Sequence, residues 1–182
     1  MRSIHLLLAA WFLISPFYAV ANPGSLAQAA RFDVGQYELI VGGKIGNAEK
    51  TLNCLPEKIQ HTIRQCHLKK EALSRALFMD APIEKMNLSL HFQGDIVNMS
   101  IEYGAETNFD SLLETYKEKL DPNPKVDYWT DGDHLYASYI WIDSTTEIEL
   151  SRMIKGASDS APIRAYVSDL TGNRPLNPED NP

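Results

Sequence analysis

"KVDYWTDGDHLYASYIWID", residues 125–143, decides the reading of the fold. Apolar and polar side chains alternate along it with a period of two, and Asp131-Gly132 breaks the alternation with turn chemistry. The stretch therefore reads as two antiparallel strands. A turn at Asp131-Gly132 puts Trp129 opposite His134, Tyr128 opposite Leu135 and Val126 opposite Ala137. The second strand continues through Tyr139 and Trp141. A further turn near Ser144-Thr145 sets Trp141 opposite Ile148 and Tyr139 opposite Leu150. One face then carries Val126, Tyr128, Leu135, Ala137, Tyr139, Trp141, Ile148 and Leu150, and is expected to be the buried one.

The opposite face carries Trp129, Tyr136, Ile140 and Ile142 among Asp127, His134, Glu147 and Glu149. A plain solvated face has no use for an indole, a phenol and two isoleucines. Residues 36–41 or 57–79 could cover it, a homodimer could bury it, or these could be scattered exposed apolar side chains, which need no explanation. The sharper reading is a partner surface, because aromatic side chains rimmed by charge are typical of interfaces. The candidate binding residues are Asp127, Trp129, His134, Tyr136, Ile140 and Glu147.

Upstream, "KMNLSLHFQ" (85–93) and "IVNMSIEY" (96–103) alternate around Gly94-Asp95, which signals a hairpin. The expected pairs are Phe92 with Val97, Leu90 with Met99, Leu88 with Ile101 and Met86 with Tyr103. Ile96 is then the one apolar residue on the polar face. A slip of one residue would destroy this sorting. In "TNFDSLLETYKEKL" (107–120), Phe109, Leu112, Leu113, Tyr116 and Leu120 form one apolar helical stripe. Thr107 to Asp110 resembles a capping box, and Asp121-Pro122 ends the helix.

The remaining segments complete a single α+β domain over residues 36–170. "QYELIV" (36–41) reads as a strand, 46–55 as a short helix and 160–170 as a last strand. Gly42-Gly43-Lys44-Ile45-Gly46 lacks the spacing of a phosphate loop and reads as a turn. Residues 57–79 read as an extended segment followed by a helical turn. The expected architecture is an antiparallel sheet of five or six strands with helix 107–120 on one face.

The ends carry other information. A positive start at Arg2, the apolar run "IHLLLAAWFLI" and small residues at Ala19 and Ala21 form the three-part pattern of a cleaved export signal over 1–21. That run falls short of the roughly 20 apolar residues of a membrane span. Residues 22–35 read as a loose leader, and 171–182 as a polar, disordered tail. Export through a bacterial inner membrane makes the periplasm the expected destination. The two cysteines, Cys54 and Cys66, are then expected to form a disulfide.

A formal charge of −7 argues against nucleic acid and anionic membrane surfaces as partners. The motifs H-E-x-x-H, G-x-S-x-G and C-x-x-C are absent, and no cofactor or metal set is indicated. Asp131-Gly132-Asp133 is turn chemistry rather than a calcium loop. If the two hairpins lay side by side, His91 and His134 would share the polar face with Glu102 and Glu147. Three function classes follow. The first is a non-catalytic binding protein acting on another envelope or secreted protein. The second is an inhibitor or immunity protein against a cationic secreted enzyme. The third is a small hydrolase or metal-binding protein with an unrecognised site, which a pocket joining His91, His134 and carboxylates would favour.

Overall fold

The computed structural model describes residues 25–34, 36–55, 63–156 and 161–171. The two hairpins form as their alternation demands, but the strand Arg164–Asp169 comes between them. In chain order the elements are α1 (Leu26–Ala29), β1 (Phe32–Val34), β2 (Tyr37–Leu39), a 3-10 turn (Gly46–Thr51), β3 (Leu52–Cys54), β4 (Ile63–Leu68), α2 (Lys70–Leu73), β5 (Leu77–Phe78), β6 (Ala81–His91), β7 (Ile96–Tyr103), α3 (Phe109–Lys119), β8 (Lys125–Asp131), β9 (His134–Ile142), β10 (Thr146–Lys155) and β11 (Arg164–Asp169). All strand pairs are antiparallel. The main path runs β2-β1-β5-β6-β7-β11-β10-β9-β8, and β4 joins β6 with β3 outside it.

This corrects the expected α+β layering. The chain is mostly antiparallel sheet, with eleven strands rather than five or six, and its helices are few and short. The strand expected at 36–41 is β2, and the strands without an expected counterpart are β1, β3 and β5, each of two or three residues. A strand so short shows no period of two, so its pattern is invisible until a long neighbour supplies the ladder. Strand β6 does this, pairing with β5 at its start and with β4 along its later half. Of residues 22–35, the described part forms α1 and β1, and Phe32 lies in the core.

The β6–β7 register also differs from expectation. Leu90 faces Ile96, Leu88 faces Met99, Met86 faces Ile101 and Ile83 faces Tyr103, with irregularities at Ser89/Leu90 and Ile83/Lys85. The cause is the segment before the 3-10 turn. Gly42 N–H donates to Ile96 O, Ile96 N–H donates to Gly43 O, and Lys44 pairs with Asp95 at 2.8 Å. These contacts draw Ile96 inward, and the extra residue is taken up as a bulge. Phe92 is carried out with the longer turn and is 62% exposed.

Strands β8 and β9 are joined by the two residues Gly132-Asp133, so Asp131 faces His134, Trp129 faces Tyr136 and Tyr128 faces Ala137. Gly132 has φ of +57°, the left-handed value that tight hairpin turns require. The shift from the expected register is two residues, which leaves every side chain on its original face. Trp141 faces Ile148 and Tyr139 faces Leu150, as the spacing requires. The turn between β9 and β10 is set by Asp143. Its Oδ1 accepts from the Thr145 N–H and hydroxyl and the Thr146 N–H, and its Oδ2 accepts from the Leu26 N–H. Burial raises its pKa, but these donors outweigh that and hold the carboxyl below its usual range.

The core lies on one side of the sheet. Helix α3 buries Phe109, Leu112, Leu113 and Tyr116 there. Its cap is Asn108, whose Oδ1 accepts from Ser111 N–H at 3.0 Å, in place of the expected Thr107. The Tyr116 ring lies 5.5 Å from that of Trp141 and 6.1 Å from that of Phe78. Trp141 is 3% exposed and its indole N–H donates to Asp121 O at 2.8 Å. The Tyr103 and Tyr116 hydroxyls share a buried 2.7 Å hydrogen bond. Val126 and Tyr128, expected in this core, are exposed, Tyr128 by 63%. They stand on the outermost strand, while the aromatic contacts of α3 end on β9 at Tyr139 and Trp141. At the other edge Cys54 and Cys66 face each other across β3 and β4 and form the expected disulfide.

Two outcomes follow. Trp141→Ala should cost on the order of 3–5 kcal/mol, the range for a buried large aromatic, read as a fall in the denaturant midpoint. An unchanged midpoint would mean that Trp141 is not in the core. Burial also holds the Tyr103 and Tyr116 phenols above their ordinary value of 10.0, with their mutual hydrogen bond a smaller effect. Raised pKa values contribute stability that is fully present below the unfolded value and is lost as pH rises through and beyond about 10. An absorbance titration of phenolate should therefore show two tyrosines that ionise only as the protein unfolds. Their ionisation in the native state near pH 10 would contradict the buried pair.

Candidate functional site

The face of the sheet opposite α3 is polar. On it a residue of β8 directly opposes its β9 partner, so Trp129 and Tyr136 meet side by side. Their rings stack at 4.2 Å between centroids with planes 10° apart, and the His134 ring stands edge-on to Tyr136 at 6.5 Å. The Trp129 indole N–H donates to Ser138 Oγ at 2.9 Å, and the Ser138 hydroxyl donates to Glu149 Oε1. Ser138 is 1% exposed, whereas Trp129 is 44% exposed. The indole is thus held by a buried hydroxyl on one edge and a phenol on one face, with its other face reaching solvent.

The six residues expected to form a binding surface all lie on this side, but they do not form one cluster. Trp129, Tyr136 and His134 are together, with Asp127 and Ile140 flanking them. Glu147 faces Ile142, six residues along β9 from Tyr136, or about 20 Å at strand rise. Its place beside the aromatic pair is taken by Glu149, which Ser138 reaches. Ser138 and Glu149 were not among the expected binding residues. Their signal becomes readable only with the two-residue turn, which sets Ser138 opposite Asp127 and beside the indole.

Residues 36–41 do not cover this face. Leu39 and Val41 are in the core, and β4 lies within the sheet. Ile142, on the same side, is 61% exposed. The cluster of His91 and His134 does not form. Strands β7, β11 and β10 separate β6 from β9, which places the two rows about 19 Å apart. Ser138 and His134 lie four residues apart on one strand, about 13 Å, so the His134 imidazole does not reach that hydroxyl. Among the described residues no group of three or more His, Cys, Asp or Glu side chains could hold a metal ion.

Among the described residues no helix is long and apolar enough to cross a membrane, which with the Cys54–Cys66 disulfide is consistent with an exported protein. Comparison with protein-family models, with curated proteins and with solved structures found no match.

The Ser138 relay generates one measurable outcome. Ser138→Ala removes the acceptor of the indole and the donor to Glu149, and should cost on the order of 1 kcal/mol in chemical denaturation. No change in stability would show that the relay does not hold the indole in place.

Proposed function

We propose that this is an exported, non-catalytic binding protein of the cell envelope that holds another envelope or secreted protein on its open sheet face. The observation that carries the reading is the Trp129–Tyr136 stack, at 4.2 Å, on a face that the core elements leave open. Aromatic side chains that are already fixed lose little conformational entropy on association, and such anchors dominate the energetics of interfaces. Asp127 and Glu149 supply a polar rim. In this reading the chain is exported with cleavage after Ala21 and resides in the periplasm, where the disulfide persists.

The test is capture of partners from the native envelope, followed by affinity measurement with the purified partner. Trp129→Ala and Tyr136→Ala should each lower stability only modestly, by no more than about 1–2 kcal/mol from the lost stack and indole hydrogen bond, since Trp129 already reaches solvent. Each should weaken binding by roughly 30-fold, the equivalent of about 2 kcal/mol at an aromatic anchor. Unchanged affinity with unchanged stability removes this reading, and so does a large loss of stability in both variants.

A further inference from the structure

Strand β8 ends the sheet, and among the described residues it pairs only with β9. All seven of its residues, Lys125–Asp131, are exposed. A long exposed edge presents unpaired N–H and C=O groups to any strand that can approach. The backbone shows which positions point outward. In the β8–β9 register Tyr128 falls in a non-hydrogen-bonded pair with Ala137, and its N–H donates at 2.9 Å to Oδ1 of its own neighbour Asp127. Tyr128 is thus an outward-bonding position, and so are Val126 and Thr130, two residues to either side.

We propose that this edge pairs antiparallel with β8 of a second copy of the chain, with Tyr128 facing Tyr128 on the two-fold axis. This inference does not rest on the envelope-partner reading. It rests on charge. With Tyr128 on the axis, Lys125 of each copy faces Asp131 of the other, Val126 faces Thr130, and Trp129 faces Asp127. All seven positions are paired, and both ends carry opposite charges. Moving the axis to Asp127 sets Asp127 against Asp127. Moving it to Trp129 sets Asp127 against Asp131 twice. Opposite charges across strands stabilise a pair, and like charges oppose it. Side chains on the alternate positions of an edge usually repel foreign strands. An axis at Val126 would also set Lys125 against Asp127, but it pairs only three positions of the strand, so the Tyr128 register is the one that joins all seven with opposite charges at both ends.

The register also uses the outward positions correctly. Val126, Tyr128 and Thr130 face one another in hydrogen-bonded pairs, each exchanging two backbone bonds. The Asp127 carboxylate releases the Tyr128 N–H to the second copy. Among the described residues the other edge strands are short: β2 and β3 have three residues each, and β3 is tied to β4 by the disulfide. An isologous contact of this kind closes after two copies, so the result is a dimer and not a fibre. The two polar faces then lie on one side of a continuous sheet, with both Trp129–Tyr136 stacks next to the axis.

Sedimentation equilibrium of the protein, purified after expression of the full 182-residue sequence, tests this. The wild type should show a reversible dimer. Lys125→Asp and Asp131→Lys should each weaken it at least about tenfold, because each places like charges together twice. An equimolar mixture of the two variants should restore the dimer, since their edges are complementary to each other. Circular dichroism establishes that each variant is folded. As an independent arm, Tyr128→Cys should form an intermolecular disulfide and Val126→Cys should not, because only the residue on the axis meets itself. A wild type that stays monomeric at all concentrations overturns the proposal. So does a dimer indifferent to both charge changes, or a mixture that fails to restore it. A monomer that still binds an envelope partner through Trp129 would leave the functional reading standing without this one.

Discussion

A hydrogen bond between two buried phenols, Tyr103 on β7 and Tyr116 on α3, joins the helix to the sheet. Without Tyr103 the Tyr116 hydroxyl would be an unsatisfied polar group in the core, and the Tyr103 hydroxyl also reaches Phe78 O at 3.5 Å, so the two residues are fixed together. Tyr116 also packs against Trp141 on β9 and Phe78 on β5. One side chain therefore ties together the helix, both long hairpin systems and the short strands at the far end. Helix α3 is committed to this side, and among the described residues no helix covers the opposite face of the same sheet.

The long alternating segments were readable from residues alone. Residues 125–150 sorted correctly into faces even though the β8–β9 register was two residues off, because a slip of two preserves the side of every side chain. The helix stripe from Phe109 to Tyr116 was equally plain. The short strands β1, β3 and β5 were not readable, since their conformation depends on the ladder that starts from β6, directly or through β4 and β5, and not on their own pattern. The inward pull of Gly42 and Gly43 on Ile96 is a contact between residues more than fifty positions apart, which local alternation cannot report. The insertion of β11 between β7 and β10 is of the same kind, and it is what separates His91 from His134.

The candidate site shows a similar division. The aromatic pair was visible as residues that a solvated face does not need. The support beneath it was not visible, because Ser138 looks like any polar residue in an alternating strand. Only its burial and its two hydrogen bonds distinguish it. Such support determines whether an exposed indole is a fixed anchor or a loose one, which matters for the entropy of any contact it makes.

One face of the sheet is buried beneath α3, and among the described residues the other is open to solvent. Hydroxyl-radical footprinting of the native protein, read by mass spectrometry at single residues, tests it without any substitution. Trp129, Ile142 and Tyr166 should oxidise readily, while Trp141, Tyr116 and Met99 should be protected. Protection of Trp129, Ile142 and Tyr166 to the same degree as Trp141 would contradict the account, because it would mean that the polar face is covered as well.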